Sequence, residues 1–374
     1  MPRPFYTSIM ATLAPALLTS LLLAAPASAY NPRVDLDNSR YLKALWDAET
    51  QLKANPNNAL AWAAKSQALS AMVRVWEARN CADKALALQP GLPDGLLARG
   101  MAQAGVAIQQ RNLSSLRGVS RAMDDLRAAV ASDPTLVNAW MSLGLAYQQL
   151  PGLLGGSTSK ALQCAESLRR VNAPRADLLQ GTVLAMDGRW NEAQPYFGRA
   201  LATAPWDAEI VYGYLDALGT KETRKTLGEA EQRRRLASEA RRLLPPVRNR
   251  ARAVEAVSLA LMDAKQSEEA WTIAKNALPQ TDSPSLVRLH LGKIAAKTRL
   301  HQQEGLANLD QVLREPLEGG TGGYATAWWR KGQILKDLGR IDEAKAAADK
   351  ALKIDAGHRG AKALAEEITG LQRH

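Results

Sequence analysis

Apolar positions along this chain recur at helical spacing, and no segment shows the strict alternation of a half-buried strand. The stretch DGRWNEAQPYFGRALATAP, residues 187–205, shows the pattern at its clearest. Asp187-Gly188 reads as a tight turn. Ala193 and Ala200 are small, Phe197 between them is bulky, and Pro205 cannot continue a helix. Small residues seven apart around one aromatic predict a helix that crosses a neighbour closely. Ala193 meets a small residue on the preceding helix, such as Gly181, and Ala200 makes room for the following helix. Phe197 fills the space between, where a void or an extra methylene is costly.

The frame repeats. Trp62, Ala78, Ala85 and Pro90 mark a first unit. Gly100, Ala122, Ala129 and Pro134 mark a second, longer by about ten residues, which predicts lengthened helices. A third runs from Trp140 through Ala161 and Leu168 and carries the insertion LPGLLGGSTS. The stretch above belongs to a fourth. A fifth ends on Ala240 and Pro245 after a charged insert, and a sixth shows Ala270, Ala274 and Ala277. A seventh is degenerate, with Gly292 and Pro316 but Glu304 and Gln311 where alanine is usual. An eighth carries Trp328, Gly332, Gly339, Ala344 and Ala351.

WMSLGLAY, residues 140–147, has the spacing W-x2-L-G-x2-Y, and Ala193, Phe197, Ala200 and Pro205 supply the second half of the same signature. Together they resemble the tetratricopeptide repeat, a helix–turn–helix of about 34 residues. The resemblance implies an all-α, right-handed superhelical solenoid of about eight repeats over residues 57–357. An orphan helix is expected within 30–56 and a capping helix within 358–374, because a solenoid end otherwise exposes apolar surface.

The first 29 residues stand apart. Arg3 precedes an uncharged run over residues 9–25, and Ala27-Ser28-Ala29 is a small-x-small cleavage site. These features predict a cleaved secretory signal peptide, a mature chain starting at Tyr30, and a periplasmic or secreted location without stable membrane insertion. A retained anchor is the rival reading; Pro15 and Pro26 break the apolar run. Only Cys81 and Cys164 occur, too few for a disulfide scaffold in an exported chain of this length. They fall at the same repeat position on second helices two repeats apart, which is too far for a bridge and predicts packed thiols.

Candidate chemistry is sparse. His290, His301, His358 and His374 make no HExxH and no i, i+4 pair, and there is no CxxC, so neither a metal site nor an enzyme nor a cofactor is expected. GLLGGSTSK, residues 152–160, lacks P-loop spacing and reads as a loop with Ser157 or Thr158 capping the next helix. It also resembles loops of exported bacterial tetratricopeptide proteins, including the T-component family of TRAP transporters. EGGTGGYATAWW, residues 318–329, fits no dinucleotide fingerprint and leaves only helix-terminus anion binding open.

The formal charge is +11, and residues 221–252 hold eleven Lys or Arg against four Glu. Arg233, Arg234, Arg235, Arg241, Arg242, Arg248, Arg250 and Arg252 form a candidate dock for an anionic partner, against the alternative of a solvated helix face. No aromatic residues interleave for base stacking, and nucleic acid is not expected.

In the resembling family the first helices line a concave groove. Carried onto this chain, that implies Asn138, Met141, Tyr212, Asp216, Trp329 and Gln333 as groove residues. The family's carboxylate clamp needs Lys and Asn where this chain has Ala63 and Gln67, so that mode of recognition is not implied. The function expected is an exported scaffold or adaptor binding a protein or peptide in the groove. The alternative is an accessory protein of an envelope transport system that binds a small solute.

Overall fold

The computed structural model describes residues 30–110, 113–315 and 323–371; residues 1–29, where a signal peptide is expected, residues 316–322 and His374 lie outside the described residues. The described residues contain helices, turns and no strand. The solenoid is built from the described residues of the unit Pro32–His374.

It opens with a short helix α1 (Arg33–Asp37) and with α2 (Tyr41–Ala54). Antiparallel pairs follow: α3 (Ala59–Ala71) with α4 (Val75–Leu88), α5 (Pro93–Gln110) with α6 (Leu113–Ser132), α7 (Val137–Gln149) with α8 (Thr158–Arg169), and α9 (Ala173–Met186) with α10 (Trp190–Thr203). The fifth pair inserts a short helix: α11 (Ala208–Gly219), α12 (Lys221–Leu227), α13 (Glu229–Leu243). Then come α14 (Ala251–Asp263) with α15 (Ser267–Ala277), α16 (Pro284–Thr298) with α17 (Gln302–Val312), and α18 (Gly323–Asp337) with α19 (Ile341–Ile354). The last helix is α20 (Arg359–Leu371).

The small positions act as their spacing implies. A Cβ added to Gly181 in α9 would lie 3.0 Å from the Phe197 ring of α10, and one on Gly144 in α7 would lie 2.7 Å from Leu179 of α9 and 3.3 Å from Cys164 of α8. Ala193, Phe197 and Ala200 are buried. Phe197 packs 5.9 Å from Trp190 and 5.4 Å from Tyr214, centroid to centroid, which ties the fourth pair to the fifth. Helix starts are capped by side chains: Ser157 accepts from Lys160 N, Asn172 from Arg175 N and Asp207 from the amides of Glu209 and Ile210. Cys81 and Cys164 are buried free thiols, and burial raises both, Cys164 to about 11.

The turn inside each of several pairs uses a left-handed residue. Gly188 (φ 77°) and Gly339 (φ 76°) supply it without cost, whereas Val73 (φ 60°), Lys265 (φ 64°) and Arg299 (φ 62°) adopt it with a side chain.

The N-terminal residues 33–41 do not continue the stack. They lie across the N-terminal ends of the first helices as a strap. Arg33 makes a two-pronged bond to Asp94 at the start of α5 (3.0 and 2.6 Å) and reaches Asp133 before α7 (2.8 Å). Arg175 of α9 donates to the Asp37 carbonyl (2.8 Å), and Arg250 before α14 donates to the Asn38 carbonyl (2.6 Å). The Ser39 hydroxyl bonds the Glu209 carboxylate of α11. The strap thus touches the repeats that begin with α5, α7, α9, α11 and α14. The sequence suggested only an orphan helix here.

Candidate functional site

The first helices converge on a concave cavity of about 550 Å³. Its apolar wall is built by residues on two helices, Met141 and Leu145 on α7 and Leu178 and Met186 on α9. Spacing by multiples of four keeps side chains near one helix face. The cavity's polar lining comes from Arg175 in the first turn of α9, Glu209, Tyr212 and Asp216 on α11, Glu222 on α12 and Arg252 on α14. A second recess of about 190 Å³ shares Tyr212, Asp216 and Thr220 and adds Asp263 and Lys297.

Charges deep in the cavity are matched. Arg252 pairs with Glu209 and with the buried Glu255 (3.3 Å each) and stacks 3.3 Å over the Tyr212 ring. Lys293 reaches Glu255 at 3.5 Å. Arg175 holds Asp207 at 2.7 Å. Burial would raise the Glu209 carboxyl, but Arg252, Arg175 and the Ser39 hydroxyl outweigh it and hold it below the usual range. Burial raises the Asp216 carboxyl, which Arg252 opposes and Asp263 and Glu255 reinforce. Arg175, Glu209 and Arg252 hold or adjoin the strap and also line the cavity, so the strap borders this space.

The expected groove residues divide. Met141, Tyr212 and Asp216 meet in the cavity. Asn138 is half-buried in the first turn of α7 and does not line it. Trp329 packs against the start of α20, with the His358 ring 5.0 Å away and the Arg330 guanidinium 3.8 Å from the Trp329 ring centroid. Gln333 accepts from Arg330 at 2.8 Å. Trp329 therefore seals the capping helix, a contact the repeat frame does not encode because it depends on where α20 docks. Helix phase could have added Leu145 and Met186. Arg175 and Glu222 had no signal of their own.

The basic segment does not form one surface. Arg233, Arg234, Arg235 and Arg242 lie on α13 and pair with Glu229, Glu231 and Glu239 within about one turn, while Arg241 crosses to Glu269 (2.7 Å). Arg248 is exposed in the following loop. Arg250 and Arg252 point the other way, to Asp282 and the strap, and to Glu209. Alternating Glu and Arg at i, i+3 and i, i+4 neutralises the helix locally, which a net count over the segment hides.

The histidines are scattered. His290 is 2% exposed, both ring nitrogens lack partners, and burial lowers it to about 4. His301 meets Glu268 at 2.8 Å and stacks on Trp271. His358 lies beside Thr326. Among the described residues no three His, Cys, Asp or Glu are grouped to hold a metal ion.

A second cleft, of about 610 Å³, lies where the first and last repeats of the solenoid meet. Trp46 and Trp76, 55% and 49% exposed, face it from α2 and α4, and Tyr324 and Ile354 face it from α18 and α19. No sequence pattern pointed to it, since contact between the ends follows from the accumulated rotation of all the repeats. Among the described residues no helix is long and apolar enough to cross a membrane.

The sequence model of the tetratricopeptide repeat matches residues 325–358, the turn-linked pair α18–α19 with its Gly332, Gly339 and Ala344. The chain carries a tetratricopeptide repeat. Solved structures of this repeat class are similar in fold. A thermophilic tetratricopeptide protein of Thermus thermophilus is 24% identical over 48% of this chain and 91% of its own, with a TM-score of 0.42. Yeast Tom70 is 12% identical over 91% and 87%, TM-score 0.46. A tetratricopeptide repeat protein from Parabacteroides merdae ATCC 43184 is 17% identical over 70% and 95%, TM-score 0.41. No curated protein matches the sequence.

Proposed function

We propose that this tetratricopeptide repeat protein is an exported scaffold that binds a segment of a protein partner in the concave cavity formed by α7, α9, α11 and α14. The observation that carries the reading is the cavity's construction: Met141, Leu145, Leu178 and Met186 together with Tyr212 and Asp216, all contributed by first helices. A concave surface with apolar anchoring sites and few polar groups suits an extended or helical segment. Export is supported by the leader features of residues 1–29.

The test is affinity purification of the mature protein from its native envelope, beside a Tyr212→Ala variant. A partner retained by the wild type and lost from the variant, whose melting point is unchanged, supports the groove. Equal retention by both removes it. N-terminal sequencing of the same material should begin at Tyr30; a chain beginning at Met1 in the cytosol removes the exported location.

The cavity volume also lies in the range of small-molecule pockets, about 300–1,000 Å³. That favours, as the second reading, an envelope transport accessory that binds a solute. Saturable binding of a solute by the purified protein, blocked in Tyr212→Ala, would select it.

A further inference from the structure

We infer that the groove selects a cationic segment, a lysine or arginine side chain flanked by large apolar ones. This inference rests on the groove reading and specifies its ligand. The argument is charge complementarity across one cavity. Among the described residues, three carboxylates line its polar side without a salt-bridge partner: Asp216 and Glu222 in the main cavity, and Asp216 with Asp263 in the adjoining recess. The other lining carboxylate, Glu209, is already paired with Arg252, and Arg175 is taken by Asp207. Against them stands one lining cation without an ion pair among the described residues, Lys297, so the unmatched side chains sum to excess negative charge.

That excess is set against the sign of the whole chain, which is +11. A basic protein that leaves three carboxylates unmatched on its concave face has created a local field opposite to its mean. Low-dielectric walls focus such a field. The same cavity is lined by the apolar side chains of α7 and α9 and by the carboxylates of α11 and α12. A ligand spanning both presents a charge on one side and aliphatic surface on the other. Met141 and Met186 add adaptable surface, which tolerates more than one apolar neighbour. The distribution of charge also argues against an acidic partner at this place, since both arginines of the cavity are already engaged.

The shared chemistry, an ammonium or guanidinium group, could come from a peptide or from a free diamine. The segment is favoured because the cavity is open along the concave face and its apolar wall extends over two helices. Fluorescence anisotropy tests this on the full mature chain with four probes: a labelled nonapeptide with one central lysine between leucines, the same peptide with acetyl-lysine, the same with glutamate, and labelled cadaverine. The expected result is a lysine-peptide Kd at least tenfold tighter than either other peptide. The preference should shrink as salt rises from 50 to 300 mM, because exposed charges are screened.

Asp216→Asn with Asp263→Asn should remove the preference and leave the acetyl-lysine peptide unaffected. Both residues are exposed, and circular dichroism melting checks the fold. Equal binding of the three peptides, each weakened by Tyr212→Ala, overturns the cationic inference and leaves the groove standing. No binding of any peptide, with or without Tyr212→Ala, overturns the groove reading and the inference together. Cadaverine binding as tightly as the lysine peptide overturns the segment in favour of a small amine.

Discussion

Replacing Arg175 by Met separates the strap from the repeats it crosses. The residue is 6% exposed and its guanidinium makes three hydrogen bonds: Nε and Nη2 to the two oxygens of Asp207 at 2.7 and 2.9 Å, and Nη2 to the Asp37 carbonyl at 2.8 Å. Methionine keeps most of the aliphatic stem, so the loss is polar. Breaking a buried ion pair by removing one partner costs about 3–5 kcal/mol, because a charge is stranded. Here Asp207 keeps the amides of Glu209 and Ile210, and its side chain is 18% exposed, which reduces the penalty. The carbonyl of Asp37 loses its donor, adding about 1 kcal/mol. The expected cost is therefore about 3 kcal/mol, concentrated where the strap meets α9 and α11.

A solenoid does not unfold in one step, so a single melting temperature is a poor readout. Limited trypsin digestion is better placed, because Arg33 and Arg40 are cleavage sites within the strap and are held in the native state by Asp94 and Asp35. In Arg175→Met, cleavage after Arg33 and Arg40 should accelerate tenfold or more, while cleavage within α13 changes little. Urea unfolding followed by tryptophan fluorescence gives the free energy. A variant within about 0.5 kcal/mol of wild type, the ordinary scatter of neutral substitutions, with equal protection at Arg33 and Arg40, would refute the strap as a stabilising element.

Three further substitutions test local physics. Burial lifts the Asp37 carboxyl to about 6, with Asp94 and Asp207 adding to the shift and Arg175 and Arg33 opposing it. The folded state therefore holds the proton more tightly than the unfolded chain, and stability falls as pH rises from about 4 through about 6. Asp37→Asn should gain about 1–2 kcal/mol at pH 7 in urea melts and nothing at about pH 4; a gain independent of pH would reject the cause. His290 has the opposite sign: burial lowers it to about 4, so its contribution is lost as pH falls below about 6.5. His290→Leu should gain about 1–3 kcal/mol by removing two unsatisfied nitrogens and should flatten the acid limb of the stability curve; an unchanged acid limb would reject the assignment. Val73→Gly should stabilise by about 1 kcal/mol, since a β-branched residue at φ 60° is strained; a loss of stability would mean that its contact with the terminal cleft outweighs the turn.

The repeat frame was legible because its determinants are local. Gly181 opposite Phe197, the turn at Gly188 and the cap at Ser157 are each set by residues close to one another in the chain. Met141, Tyr212 and Asp216, which the same frame singles out, line one cavity, and helix phase is the local signal they share. The frame did not locate Arg175, whose role depends on a carbonyl 138 positions away, nor the cleft that Trp76 and Tyr324 both line, which sums the geometry of every intervening pair. It does not fix the surroundings of Trp329, because the same helix phase can face either a groove or a docking cap, and the position of α20 decides between them.

The basic segment is divided among surfaces for a different reason. A net count treats charges as if they shared one environment, whereas Arg235 answers Glu231 on the outer helix α13 and Arg252 answers Glu209 inside the cavity. In a solenoid, sequence neighbours on successive helices face opposite surfaces, so a charge run reports on neither until it is divided by helix. Applied to the concave side, that division turns a chain of positive mean charge into one whose cavity carries unmatched carboxylates at Asp216, Glu222 and Asp263. The partner's charge should therefore be opposite to that of the groove and not to that of the whole chain, because a contact within the cavity is governed by the charges that line it more than by those screened on the outer face.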